Sequence, residues 1–306
     1  MNELANKLNS LESKVIDNIN LSKAINTLRA YKSDFRDFEN FCLRFNFPSM
    51  PTNPKVVGLY LSELSSALKF STLKRRLASI SVIHKMKGHY FDFKHPFIKE
   101  NLAGIKRKIG IKQIGKKPLL YNNLLLIIDY INQNLVNKNE LKIRDKAILL
   151  IGFSGGFRRS ELADLKLTDI EFVNEGVKLN ISKSKSDQFG EGQMKAIPYF
   201  KKMEYCPVIA LKEWIKVKKT EKKTLFQCSD KMISLIIKKY IKLIGLNNKD
   251  YSGHSLRSGF ATSTAGYGAD ERSIMAMTGH KSAEMVRRYI REANLFKNNP
   301  LDSLNK

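Results

Sequence analysis

The chain of 306 residues is poor in cysteine, in acidic residues and in long apolar runs, and each shortage excludes something. Its 3 cysteines, Cys42, Cys206 and Cys228, are scattered and form no C-x-x-C pair, so neither a disulfide framework nor a zinc site is indicated. A reducing compartment fits this usage, and the expected location is the cytoplasm. No window approaches the run of about 18 apolar residues that a membrane span needs, and the polar start MNELANKLNSLESK has no apolar core. With 5 histidines, His84, His89 and His95 lie in a helical stretch with only Asp92 near, so no set of His, Asp and Glu has metal-ligand spacing. No metal and no cofactor are expected.

The acidic shortage matters most. Asp and Glu total 29 against 54 Lys and Arg, giving a net charge of +25 and pointing to a polyanionic partner, double-stranded DNA first. The hydrophobic content of 42% suffices for more than one core at this length.

Residues 1–20 form a polar lead. From Leu21 apolar residues recur at three- and four-residue steps through Tyr31, Phe35, Phe38, Phe41 and Phe45, which predicts a helix that ends before the prolines 48, 51 and 54. Further helices are expected from Pro54, from Ser71 or Thr72, and from about Pro96 to Lys108. Together these four make a bundle over residues 21–108. Lys74, Arg75 and Arg76 stand on the outer side of the third helix near its N-terminus, and Lys106 and Arg107 end the fourth. These five are the candidate contacts to DNA phosphates. Residues 109–118, IGIKQIGKKP, lose the apolar period and read as a linker. Beyond it, helices are expected near 121–135, 141–153, 208–218 and 229–244, with strands at 170–172, 177–181 and 195–198 forming a small antiparallel sheet.

The chemistry-bearing residues come in separate groups. After the break at Ser154-Gly155-Gly156, Arg158 precedes Glu161 by three residues, close enough for the carboxylate to hold the guanidinium. His254 and Arg257 share the same spacing in a segment with helical apolar period. Thr278-Gly279-His280 is a turn signal, and Ser282 is a candidate N-cap for a short amphipathic helix carrying Tyr289. Between the second and third strands lies a polar, lysine-bearing loop with Lys183 and Lys185. Singly, such pairs are commonly surface ion pairs or packing residues. Their order and spacing, His-x-x-Arg, then Thr-Gly-His, then Tyr nine residues after that His, resemble the tyrosine recombinase (phage integrase) family.

The stretch Gly156 to Leu162 is similar to that family's first box, with Phe157 where Leu is commoner and Arg159 as a departure. Thr27, Arg29, Tyr31, Asp34 and Phe35, then Pro51, then Ser71-Thr72 before Arg75-Arg76, resemble more loosely the family's helical core-binding domain. The resemblance implies a mainly α, two-domain protein: an N-terminal SAM-like core-binding bundle, and a mostly helical catalytic domain with a small antiparallel sheet over residues 119–306. It implies site-specific recombination through a 3'-phosphotyrosine intermediate, with Tyr289 as nucleophile and Arg158 and Arg257 on the phosphate. Glu161 would support Arg158, His254 would assist proton transfer, and His280 would bond the phosphate. The general acid would be Lys185, with Lys183 in reserve. It also implies a homotetramer on paired sites, joined by exchange of the C-terminal tail with Leu295 and Phe296. A noncatalytic site-specific DNA binder and a type IB topoisomerase are the alternative readings.

Overall fold

The computed structural model describes residues 25–110, 115–134, 139–181, 192–218 and 223–295, together with Leu301 and isolated positions before residue 19. It divides into two compact units, residues 1–114 and 115–306.

From residue 25 the first unit forms four helices: α1 (Ile25–Arg44), α2 (Pro54–Leu64), α3 (Phe70–Met86) and α4 (Pro96–Ile109). One stripe of α1, Phe35, Phe38, Phe41 and Cys42, is buried against Val57, Tyr60 and Leu61 of α2 and Leu73, Leu77 and Ile80 of α3. The Phe38 and Tyr60 rings meet nearly edge-on, with centroids 5.2 Å apart. Proline opens both α2 and α4, where its missing N–H has no helical partner to lose. Helix α3 starts one residue before the expected Ser71. Lys69 is extended and its carbonyl accepts the Thr72 and Leu73 amides, so the turn closes without a hydroxyl cap. His84 is wholly buried, its Nε2 accepting from the Thr52 amide at 3.2 Å.

The second unit builds its core from α5 (Tyr121–Gln133), α6 (Glu140–Ser154), α8 (Pro207–Val217) and α9 (Asp230–Leu243). Helix α6 is buried nearly all round over its last two turns, from Ala147 to Ser154. That is why its sequence lacks a polar face. Strands β1 (Ile170–Val173), β2 (Gly176–Ile181) and β3 (Gln193–Pro198) form an antiparallel sheet in that order, with Ile170 opposite Leu179 and Ile181 opposite Gln193. The short α7 (Arg159–Asp164) follows α6. The chain ends in α10 (Ser255–Gly266), α11 (Glu271–Thr278) and α12 (Ala283–Ala293). These last three pack around a small cluster of their own, Ala261, Ala265, Ile274, Val286 and Tyr289. Among the described residues no helix is long and apolar enough to cross a membrane.

Candidate active site

Two turns and two helix starts bring the chemistry-bearing residues of the second unit together. Helix α6 stops at Ser154, and Gly156 turns the chain with φ +54°, a left-handed conformation costly for residues with a side chain. Arg158 follows, extended, as the N-cap of α7. Glu161, in the first turn of α7, accepts the Arg158 amide at 2.9 Å and its Nη1 at 2.5 Å. The carboxylate is buried and fixes the arginine from both ends. Nη2 of Arg158 donates to the Gly279 carbonyl at 3.2 Å, tying this turn to the distant one that carries His280. Arg159 turns away and pairs with Asp230 at 2.9 Å.

His254 sits at the N-cap of α10, its amide donating to the Ser252 hydroxyl, and Arg257 lies in that helix's first turn. Arg257 is 1% exposed. Its Nη1 donates to the Gly156 carbonyl at 2.9 Å, while Nη2 is buried without a hydrogen-bond partner among the described residues. An unpaired buried donor costs about 1–3 kcal/mol, more when charged, so this atom marks a place for an anion.

Helix α11 ends on Gly279, left-handed at φ +63°, whose amide closes the last turn on the Met275 carbonyl. His280 follows, with Nδ1 2.7 Å from the Thr278 hydroxyl. Ser282 is the N-cap of α12, though its side chain makes no capping bond, and the helix runs four residues past Tyr289. Tyr289 points inward at 2% exposure, its hydroxyl 3.3 Å from His254 Nε2 and its ring centroid 6.1 Å from that of His280.

Spacing along the chain did not single out Lys195, yet it is fully buried at this site. Its Nζ donates to the Gly155 carbonyl at 2.8 Å and to the Met277 carbonyl, and lies 5.0 Å from the Phe157 ring centroid. Gln193, two residues earlier on the same strand face, donates to the Ala276 carbonyl. β3 thereby binds the carbonyl end of α11, where a cation also suits the helix dipole. The signal was in the alternation: exposed Met194 lies between inward Gln193 and Lys195, with Ile197 next on the inward side.

Three cations, Arg158, Arg257 and Lys195, share this site with one buried carboxylate, Glu161. Burial, then the Arg158 charge, brings Arg257 down to about 10. Burial, then Arg257 and Arg158, brings Lys195 down to about 8. His280 falls to about 4, through burial first and then Arg257, Arg158, His254 and Lys195. His254 is lowered by burial and by Arg257, Arg158 and Arg288. Both imidazoles are therefore neutral at neutral pH, and an entering anion offsets the part of each shift that comes from the neighbouring cations.

Lys183 and Lys185 lie outside the described residues. In the first unit Lys74 and Lys106 are exposed and line one groove of about 530 Å³ with Lys69, Ser65 and Ser71. Arg107 is exposed as well. Arg75 pairs with buried Asp34 at 2.6 Å and keeps 44% of its side chain exposed. Arg76 is bonded to Asp37 and to the Tyr60 hydroxyl, with 16% of its side chain exposed. Among the described residues no group of three or more His, Cys, Asp and Glu could hold a metal ion.

A helical bundle followed by a mainly helical unit with a three-stranded sheet, carrying Arg, His-x-x-Arg, His and Tyr in that order around one anion-seeking pocket, defines the integrase class. The chain belongs to the phage integrase family: the family's model matches residues 119–295. An integrase/recombinase XerD homolog of Selenomonas ruminantium is 37% identical over 298 residues, 92% of this chain and 86% of that protein. The tyrosine recombinase XerC of Thermodesulfovibrio yellowstonii is 28% identical, covering 90% of this chain and 89% of that one. Among solved structures, a post-cleavage complex of XerH recombinase with a palindromic difH substrate is similar with a TM-score of 0.63 at 20% identity, over 87% of this chain and 75% of that one. The Tn1549 transposon integrase with transposon right-end DNA gives 0.62 at 17% identity, over 97% and 96%.

Proposed function

We propose that the protein is a site-specific recombinase that cuts and rejoins duplex DNA through Tyr289. The observation that carries the reading is the buried, unpaired Nη2 of Arg257 in a pocket that also holds Arg158, His254 and the Tyr289 hydroxyl. A phosphodiester supplies the missing acceptor. Tyr289 Oη attacks phosphorus, its proton passes to neutral His254, and the bond to the 5' oxygen breaks. The products are a 3'-phosphotyrosine and a free 5' hydroxyl. Arg158, held by Glu161, and Arg257 stabilise the charge on the nonbridging oxygens, and His280 donates to the same group. Lys185, or Lys183, protonates the leaving oxygen. The protein–DNA ester conserves the bond energy, so a 5' hydroxyl from a second duplex reverses the step and exchanges strands, with no nucleotide cofactor called for.

In the first unit Lys74, Lys106 and Arg107 contact backbone phosphates, and Arg75 adds its exposed edge. Arg76 chiefly braces α3 against α1 and α2. Exchange between two duplexes needs four active sites, hence a homotetramer on paired sites in the cytoplasm, with the C-terminal tail of one copy docked on the next. An apolar groove of about 440 Å³ on the second unit, lined by Phe153, Ala196, Ile197, Phe260, Tyr267 and Met277, supports that docking. So does Leu295, which is 67% exposed where the tail begins. A lambda integrase has been solved as a dimer on a core site.

The test is a plasmid carrying two copies of the DNA that flanks the protein's own gene. Wild type resolves or inverts the intervening segment, and Tyr289→Phe does not. Relaxation without joining of different duplexes would indicate a topoisomerase, and binding with no covalent product would indicate a noncatalytic binder.

A further inference from the structure

The hydroxyl of Thr278 makes two short contacts, to the Ile274 carbonyl at 2.6 Å and to His280 Nδ1 at 2.7 Å. Thr278 is wholly buried, so water does not offer it another partner. A hydroxyl has a single proton, and a carbonyl oxygen can only accept. The Thr278 proton therefore lies on the bond to Ile274, and the contact to His280 needs its hydrogen on Nδ1. Neutral His280 then carries a bare Nε2 on the ring edge away from Thr278, and a bare nitrogen cannot donate to a phosphate oxygen.

We infer that Thr278 is a positioning residue that locks His280 in its Nδ1–H tautomer, so that His280 engages a phosphodiester only by taking up a proton. The inference rests on the phosphate site proposed above and changes what happens there. Without DNA His280 is neutral, held so by burial and by Arg257, Arg158, His254 and Lys195, with the Tyr289 ring beside it. A phosphodiester offsets those cations. The imidazole gains a solvent proton on Nε2, and this new N–H donates to a nonbridging oxygen. Cleavage is thus coupled to proton uptake through a residue two positions from the histidine.

Thr278→Val keeps the shape and deletes the hydroxyl, freeing neutral His280 to carry its hydrogen on Nε2. Thr278→Ser keeps the hydroxyl. The first readout is ring-nitrogen NMR of the full chain labelled at histidine, without DNA, with His280 assigned through His280→Gln. Wild type and Thr278→Ser show Nδ1–H with bare Nε2, and Thr278→Val shifts toward Nε2–H. Wild-type His280 found as Nε2–H overturns the inference whether or not DNA is ever cut.

The second readout is single-turnover formation of the covalent adduct on a gene-flanking duplex, from about pH 5.5 to 8.5. The protonated fraction of a single group falls about tenfold per pH unit above its pKa, so the ratio of the Thr278→Val rate to the wild-type rate climbs with pH up to that slope. The Thr278→Ser ratio stays flat. A flat Thr278→Val ratio overturns the inference while leaving the recombinase reading intact. Absence of any wild-type adduct counts against the recombinase reading alone.

Discussion

At the scale of single residues the site combines surplus positive charge with one donor, Arg257 Nη2, that has no partner among the described residues. Arg257 contributes both, through its buried guanidinium. Arg257→Ala is expected to slow cleavage by roughly 10²–10³-fold, the loss typical of a missing oxyanion donor, while DNA affinity changes only a few-fold. A filter-binding and single-turnover pair on one duplex separates the two effects. The histidines set a pH dependence of stability as well. His280 is held at about 4 in the fold against 6.5 when unfolded, so protons bind the unfolded chain first. Its contribution is complete above pH 6.5 and is lost as pH falls toward 4. Melting temperature should decline over that window in DNA-free protein, and His280→Gln should flatten part of the decline.

The elements hold these residues in register, and β3 has the largest share. Lys195 joins the turn before Arg158 to the end of α11 before His280, through the Gly155 and Met277 carbonyls. Lys195→Met keeps length and removes both bonds. The expected result is a drop in cleavage at saturating DNA of tenfold or more with little change in affinity, restored in part by Lys195→Arg. Equal rates for wild type and Lys195→Met would show that the strand merely packs there.

Much of this architecture was legible beforehand because it rests on short-range spacing. Arg158 and Glu161, or His254 and Arg257, meet within one helical turn, and the Phe stripe of α1 declares its buried face. The strands and most helix ends followed from period and punctuation. What escaped depends on partners far away in the chain. Arg76 reads as a free phosphate contact until Asp37 and Tyr60 are folded against it. Lys195 reads as a soluble strand lysine until two carbonyls 40 and 82 residues away close on it. The Thr278 hydroxyl matters only because the helix end aims it at both Ile274 and His280.

For the whole molecule, a charge of +25 and two basic units imply binding dominated by counterion release. The logarithm of affinity should fall linearly with the logarithm of salt concentration, and Lys74→Ala with Lys106→Ala should reduce that slope by about two phosphate contacts. An unchanged slope would remove the groove of the first unit from the DNA interface. Deleting residues from 296 onward should leave a single-site complex intact while abolishing cooperative filling of paired sites, visible as loss of the higher species on a native gel.

Peptide mapping decides whether Tyr289 becomes covalently joined to DNA. Wild type is trapped on a nicked gene-flanking duplex in EDTA, digested with trypsin and nuclease, and examined by mass spectrometry. Trypsin cuts after Arg288 and Arg291, so a nucleotide is expected on the short peptide Tyr289-Ile290-Arg291 and on no peptide of Tyr289→Phe. A nucleotide on any other peptide, or an adduct that survives in Tyr289→Phe, would contradict it.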